Sequence, residues 1–282
     1  MSGTLIAAIA ALALGLFGGR YGLLIVVTVI AVLATGELLR MVRARGARPS
    51  ALVALAGTPA LLILAHLKGE MSPRLAPAII AAVLGLAFTD LLFRRGRTDV
   101  VRGVAVTMLP VMTVGLLASF IVTIRNMPEG FRLTLVLAAM VLASEALPAI
   151  ALAMRTGGGR VPFWTRVIAG EVGVMVVVLI TGFTLGDTFS WPVIVVLGLL
   201  IGLAAPVGRV AAGMIEADLR APDTDTGGDP AAEGAPDAGD ADAGAEVRAG
   251  KRPRAGAAVL VRVDGFLLAA PVFFYVFRVL AR

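Results

Sequence analysis

The run VRVDGFLLAAPVFFYVF, residues 261–277, decides the class of this protein because it carries two charges into a long apolar stretch. Arg262 and Asp264 lie two residues apart where that stretch begins. Charged side chains that face lipid cost several kcal/mol, so they normally mark a polar site or a water-filled cavity. The run therefore predicts a membrane helix with a functional site at its start.

The rest of the chain has the same apolar character. Hydrophobic residues make up 59% of the 282 residues, and apolar stretches recur along nearly the whole length. A soluble domain of this size cannot bury that much apolar surface. The sequence therefore predicts an all-α, polytopic integral membrane helix bundle.

The distribution of basic residues and the absence of cysteine exclude several classes of function. A net charge of +6 does not indicate a nucleic-acid partner, because the basic residues lie in short loops between apolar runs. The chain has no cysteine, which excludes disulfides, cysteine-ligated zinc and thiol catalysis. Small-residue pairs four apart, such as Gly198 and Gly202, fit close helix packing within a bundle and leave a homodimer open.

Nine stretches approach the roughly 20 apolar residues that a bilayer core requires, so we predict about nine transmembrane helices. They cover residues 4–19, 21–39, 50–67, 75–92, 104–124, 131–154, 167–185, 191–214 and 259–280. If the spans alternate, 18 of the 25 lysines and arginines lie on one side, in the loops or near the ends of the adjoining spans. This bias predicts that the N-terminus is inside and the C-terminus outside. The arginine-rich, alanine-rich composition suggests a multi-pass protein of the bacterial cytoplasmic membrane.

One segment does not have the composition of a membrane helix. Residues 216–246 contain 10 of the 19 acidic residues, and a basic cluster follows up to residue 254. Such a stretch buries too little apolar surface to offset its ordering entropy. We predict a disordered cytoplasmic loop at 216–254, between a transmembrane bundle at 1–215 and a final helical segment at 255–282. The loop is either a solvated spacer or folds over itself or a site, and a protein partner for it stays open.

The two stretches that flank this loop carry a recognisable motif. GRVAAGMIEADLRAPD (residues 208–223) precedes the loop, and RAGAAVLVRVDGFLLAAPVFFYVF (residues 254–277) follows it. Together they resemble the C-terminal signature of the phosphatidate cytidylyltransferases, the CDP-diacylglycerol synthases. To a lesser extent, GELLRMVRARGARP (residues 36–49) is similar to the N-terminal stretch of that family.

The resemblance implies a reaction and a set of site residues. In the family reaction, the phosphate of phosphatidic acid attacks the α-phosphorus of CTP and pyrophosphate leaves, with Mg²⁺ as the cofactor. The alignment puts Asp223, Arg262 and Asp264 in the catalytic site. It makes Asp223, Asp264 and Glu145 the candidate metal ligands. The implied partners are CTP and a membrane lipid, either phosphatidic acid or another lipid phosphate.

A second phosphate site is suggested by the residues alone. The glycine run 156–160 ends in Arg160, and its backbone N–H groups could cradle a phosphate of a bound cofactor. A run of this kind is also typical of a flexible turn between helices.

Several residues of the family's C-terminal signature are replaced by other residue types in this chain. Glu216 and Ala217 replace a Lys-Arg pair, Val261 replaces an aspartate, and residues 254–258 replace a glycine-histidine turn. Val261 cannot bind Mg²⁺, which requires oxygen ligands, and removal of one such group typically costs on the order of 10²–10³ in rate. Two functions stay open. The chain is a cytidylyltransferase with altered residues or an altered lipid phosphate, or it is a non-catalytic relative that acts as a membrane scaffold or binds a lipid or partner.

Each polar candidate also has a structural interpretation. Arg262 and Asp264 are either a phosphate clamp and metal ligand or a local ion pair at the interface. Asp223 can be an ordinary solvated acid at the start of the acidic loop. Glu145 and Glu171 lie in or just inside the sixth and seventh predicted spans and could face each other or a cavity. The cost of intramembrane charge favours a functional interpretation for both glutamates.

Overall fold

The structure, a computed structural model, describes residues 18–95, 100–153, 163–184, 190–220 and 260–280. Within these ranges the chain forms helices and turns, and none of the described residues is in a strand. The prediction of an all-α membrane fold is therefore confirmed for the described part of the chain.

The helices follow the predicted apolar stretches in order. They are α1 (Gly19–Ala44), α2 (Ala51–Lys68), α3 (Ser72–Arg95), α4 (Val100–Pro110), α5 (Leu117–Arg125), α6 (Gly130–Ala153), α7 (Phe163–Thr184), α8 (Trp191–Arg220) and α9 (Leu260–Leu280). The sequence predicts an acidic loop at 216–254, but α8 continues to Arg220. The remainder of that predicted loop lies outside the described residues.

The described residues contain six stretches that are long and apolar enough to cross a membrane. One of them, Ala51–Phe93, consists of α2 and α3, while the apolar part of α9, Phe266–Leu280, is shorter than the other six. The first predicted span, 4–19, lies almost entirely outside the described residues. The prediction of a multi-pass membrane protein is therefore confirmed, whereas the prediction of about nine spans is not.

Helices α2 and α3 form an antiparallel hairpin at a short 3-10 turn, Gly69–Met71. Gly69 has a φ of 51°, a conformation that glycine adopts at no steric cost. The two helices pack closely farther along, because a Cβ on Gly57 would lie 2.9 Å from a methyl carbon of Val83. The hairpin therefore depends on small residues both at its turn and along its contact surface.

Helices α4 and α5 form one span that is interrupted by a π-helical turn, Val111–Leu116. The turn follows Pro110, which has no N–H to donate to the preceding turn. At this place the span approaches α2, since a Cβ on Gly115 would lie 3.1 Å from the Cα of Thr58. Such single π turns are frequent near functional sites. Here the turn lies where the span packs closely against α2.

Three groups of buried apolar side chains form the core. The largest connects α5, α6, α7, α8 and α9, and its fully buried members include Leu137, Ile194, Phe273 and Phe274. A second group lies between α1, α2, the α4–α5 span and α9, and a third joins α1 to α2, α3 and the α4–α5 span. Helix α9 therefore packs on both halves of the chain.

The two ends of the bundle differ in charge and in contacts. We call the end where α2 begins and α3 ends the basic end, because Arg43, Arg45, Arg48 and Arg102 lie there. At the opposite end, Asn126 Nδ2 donates to the carbonyl oxygens of Ala65 and His66, at 3.2 Å in each case. Arg278 there donates to the carbonyl oxygen of Glu70 at 3.2 Å. The opposite end is thus closed by side chains that bind backbone carbonyls.

Candidate functional site

A polar cluster joins three helices at the basic end. Ser50 precedes α2, and its hydroxyl donates to Asp90 Oδ2 on α3 at 2.5 Å. The backbone N–H of Ser50 donates to Thr107 Oγ1 on α4 at 2.9 Å, and Thr107 in turn donates to the carbonyl of Gly103 at 2.7 Å. Ser50 and Thr107 are buried, whereas Asp90 is half-buried. We call Ser50, Asp90 and Thr107 the serine clamp.

The serine clamp has the chemistry of a fixed polar anchor. A hydroxyl that donates to a carboxylate makes a stronger hydrogen bond than two neutral groups. The clamp fixes the start of α2 against α3 and α4, because its three residues come from positions 40 and 57 residues apart in sequence. The Asp90 side chain is half-buried, so part of it lies at the protein surface.

A buried acid lies deeper in the bundle, between α7 and α8. Both carboxylate oxygens of Glu171 are shielded, and neither has a hydrogen-bond partner in the described structure. The side chain as a whole is half-buried, so the shielding is concentrated at the carboxylate. A Cβ on Gly202 would overlap that carboxylate. Glycine at position 202 therefore provides the space that the acid occupies.

Helices α6 and α7 pack almost backbone to backbone beside this acid. A Cβ on Gly170 would lie 2.9 Å from the carbonyl oxygen of Ser144, and a Cβ on Gly173 would lie 2.6 Å from that of Ala143. Glu145 follows Ser144 on α6 and is half-buried. The predicted candidates Glu145 and Glu171 therefore occupy the same layer of the bundle, on adjacent helices.

This acid layer lies on the basic side of the largest core group. Val174 on α7, Ile201 on α8 and Ala269 on α9 belong to that group. Glu171 precedes Val174 by three residues and Asp264 precedes Ala269 by five, which is about 5 Å and 8 Å along the two helices. The backbone thus brings the position of Asp264 to the same side of the core as Glu171.

The remaining predicted site residues are only partly described. Arg262 and Asp264 lie in the first turns of α9, but the description does not extend to their side chains. Asp223 and Arg160 lie outside the described residues, so their predicted roles in catalysis, metal binding and phosphate binding stay predictions. Of the predicted metal ligands, the structure describes the side chain of Glu145 alone.

The described side chains do not make a magnesium site by themselves. No group of three or more His, Asp or Glu side chains within the described ranges is placed to hold a metal ion. Mg²⁺ prefers several oxygen ligands in near-octahedral geometry, and one glutamate on α6 does not provide them.

Comparison with known proteins decides the family. A family model described as the cytidylyltransferase family matches residues 2–147, more than half of the chain. The chain belongs to the cytidylyltransferase family. This assignment confirms the resemblance to phosphatidate cytidylyltransferases drawn from the sequence. A search of curated proteins gives no match.

The cytidylyltransferase match covers a different part of the chain from the C-terminal motif. Residues 2–147 include the serine clamp, the weaker N-terminal similarity at 36–49 and Glu145. The stretches at 208–223 and 254–277, together with Glu171 on α7, lie beyond the matched range. The half of the molecule with the firmest family relationship is therefore the half that contains α1 to α5 and most of α6.

Sequence reasoning missed the serine clamp, although one signal was available. Asp90 lies inside the predicted span 75–92, and an acid within an apolar span is a candidate for function. Its position next to a basic loop makes it resemble an ordinary interfacial residue. The partners Ser50 and Thr107 carry no signal of their own, because a buried hydroxyl is common in membrane helices.

Proposed function

We propose that this cytidylyltransferase-family protein binds a lipid phosphate at the basic end of its bundle and forms little or no CDP-diacylglycerol. The observation that carries the proposal is the contrast between the two halves of the chain. The family model matches residues 2–147, whereas Val261, Glu216 and Ala217 stand where the C-terminal signature has charged groups. The chain keeps the family scaffold and has lost groups that the reaction requires.

The charge of the missing groups supports the proposal. Phosphoryl transfer depends on cations that neutralise developing negative charge on phosphate oxygens. In this chain Glu216 and Ala217 replace two cationic side chains. The basic end carries Arg43, Arg45, Arg48 and Arg102, and arginine binds phosphate well without any requirement for catalysis. Binding of a lipid phosphate is therefore easier to retain than turnover.

One observation favours a second candidate, an active cytidylyltransferase with rearranged acids. Glu171 keeps an ionisable group in the bundle on the same side of the largest core group as the start of α9, and Gly202 makes room for it. Intramembrane acids are costly and are commonly functional. In this alternative, Glu171 and Glu145 replace the lost aspartate of the C-terminal signature.

The reaction itself separates the two candidates. Purified protein with Mg²⁺, CTP and phosphatidic acid should form CDP-diacylglycerol at or near background. The signature's two cationic side chains are missing and Val261 replaces an aspartate, and each such loss lowers the reaction rate by a large factor. The assay measures radiolabelled CDP-diacylglycerol in the lipid phase. In addition, the protein should not replace the only synthase of a cell.

The mutants make this test decisive. Robust synthesis that is lost in Asp264→Asn, Asp223→Asn or Glu171→Gln would refute the proposal and support the active alternative. Synthesis that is insensitive to all three substitutions would indicate a contaminating host enzyme and would leave the low intrinsic rate as proposed. Wild type and variants should be purified side by side from the same host.

A further inference from the structure

A long apolar groove runs along the surface of the α2–α3 hairpin. Its volume is about 670 Å³, and ten of its twelve lining residues are apolar or glycine. Small residues, Ala56, Gly57, Ala60 and Ala82, contribute a large part of the lining. Large side chains at its border face outward, among them Leu52, Leu86 and Phe93, which are 73%, 60% and 85% exposed. In a bilayer this groove faces lipid.

The groove is longer than one leaflet of a membrane. Its lining on α3 extends from Ile79 to Phe93, fourteen residues apart, which corresponds to about 21 Å along a helix. The hydrocarbon core of a bilayer is about 30 Å thick, so the groove reaches past the midplane from the basic end. A single acyl chain that enters from the basic end would therefore lie along most of its length.

One end of the groove is polar and the other is not. Asp90 and its neighbour Thr89 line the groove at the basic end, and Asp90 accepts the hydrogen bond of Ser50. The chain around Arg48 lies beside the same place, since a Cβ on Gly103 would be 3.6 Å from the carbonyl oxygen of Arg48 and 2.9 Å from Leu91. The groove is thus an amphiphilic site with its polar end at the membrane surface.

Two exposed arginines belong to the backbone segments beside this polar end, and we call them the arginine rim. Arg48 lies two residues before Ser50, and Arg102 immediately precedes Gly103, so both backbones adjoin the serine clamp. Both side chains are exposed. Guanidinium groups bind phosphate through paired N–H donors, and basic residues at the membrane surface attract anionic lipids. The rim has the charge that complements a lipid phosphate.

We infer that the α2–α3 groove holds one acyl chain of an anionic phospholipid, whose phosphate is bound by Arg48 and Arg102 beside the serine clamp. The inference rests on the proposed lipid-phosphate binding and names its place, in the half of the chain that the family model matches. Hydrocarbon alone gives little selectivity in a membrane, since all lipid tails are equally apolar. The arginine rim therefore decides which lipid stays, and the groove decides where its tail lies.

The cysteine-free chain allows a test after folding is complete. Ala82 lines the groove, whereas the adjacent Ala81 is exposed on the same helix but does not line it. Ala82→Cys and Ala81→Cys are purified in detergent, reacted with a benzyl methanethiosulfonate, and mixed with dioleoyl-phosphatidic acid. Native mass spectrometry counts the lipids that remain bound. We expect a several-fold loss for modified Ala82→Cys and no loss for modified Ala81→Cys.

The headgroup is tested separately. The double variant Arg48→Gln/Arg102→Gln should lose its preference for dioleoyl-phosphatidic acid and dioleoyl-phosphatidylglycerol over dioleoyl-phosphatidylcholine. Inorganic phosphate should not displace the bound lipid, because it cannot occupy the groove. A preference for phosphatidic acid over phosphatidylglycerol would identify a phosphomonoester as the ligand. Equal retention of both lipids would identify any anionic phospholipid.

Three results would overturn the inference. Equal lipid loss in the two modified cysteine variants would mean that the tail lies elsewhere, while the proposed lipid-phosphate binding would stand. No phosphatidic acid on the wild-type protein would refute both. A disulfide between two copies of Leu52→Cys in membranes would show that a second copy of the chain, rather than a lipid, covers the groove.

Discussion

Glu171 is an acidic residue whose burial costs free energy, and the neighbouring helix provides the space for it. Its carboxylate is shielded and has no described hydrogen-bond partner, and α8 accommodates it only because position 202 is glycine. The sequence identified Glu171 as a candidate because acids are rare in apolar spans. It could not identify Gly202 as the residue that makes room, since that contact joins two helices 31 residues apart in sequence.

The contact between Glu171 and Gly202 predicts that substitutions at these two positions have non-additive effects on the free energy of unfolding. Gly202→Ala should destabilise the protein by about 1–3 kcal/mol, the usual cost of overpacking, because the added methyl overlaps the Glu171 carboxylate. In a Glu171→Ala background the same substitution should cost much less. Thermal unfolding in detergent measures both effects.

A matched control lies in the same helix. A Cβ on Gly213 meets no atom within 4 Å, so Gly213→Ala should be neutral or slightly stabilising. Additive effects of Gly202→Ala and Glu171→Ala would contradict the packing described here.

At the scale of the helix, the sequence predicts positions well and contacts poorly. The helix predicted at 259–280 is observed at Leu260–Leu280, although its apolar part, Phe266–Leu280, is shorter than the six candidate spans. The end of α8 was placed too early, since residues 216–220 have the composition of a loop and are helical nonetheless. The π-helical turn was not predicted either, because Pro110 alone does not distinguish a π turn from a kink.

The serine clamp could not be predicted for a physical reason. Ser50 and Asp90 are 40 residues apart, and no periodicity in the sequence couples them. Within the candidate site, sequence thus supplies the acids on single helices, whereas the fold supplies the partners and the space around them.

The clamp should stabilise the start of α2 against α3. Asp90→Ala and Ser50→Ala should each cost about 1–3 kcal/mol, because each leaves a buried or half-buried partner unsatisfied. Together they should cost less than the sum. Hydrogen exchange of the first turns of α2 and thermal unfolding provide the measurements.

Thr89→Ala is the control for the Ser50 and Asp90 substitutions. The Thr89 hydroxyl is exposed and donates to the carbonyl of Gly85 in its own helix at 2.8 Å, so Thr89→Ala should change stability by a few tenths of a kcal/mol at most. If Thr89→Ala destabilises as much as Asp90→Ala, the clamp does not hold the helices together.

For the whole molecule, the described helices alternate in a way that agrees with the charge distribution. Helices α1, α3 and α6 end at the basic end, and α2, α4 and α7 begin there. The excess of basic residues on one side gives this alternation its predicted direction. The serine clamp and the arginine rim lie on the side that this rule assigns to the cytoplasm.

Single cysteines test that orientation. Met71 is 56% exposed at the opposite end, and Ala44 is exposed at the basic end. An impermeant maleimide should label Met71→Cys in intact cells and should label Ala44→Cys only after permeabilisation, because positive loops stay inside. The reverse pattern would place the basic end outside and would disprove the proposed topology.

The π-helical turn at Val111–Leu116 also sets how this span tolerates insertions and deletions over evolutionary time. A single wide turn accommodates one residue more than the α-helical path would need. Deleting one residue there would restore regular winding and would leave the faces of α4 and α5 in register, whereas a deletion elsewhere in the span would rotate α5 by about 100° relative to α4. After a deletion at the turn, Phe120 and Ile124 would keep their places in the core that they share with α9. One-residue deletions in this membrane span should therefore be tolerated best at the π-helical turn.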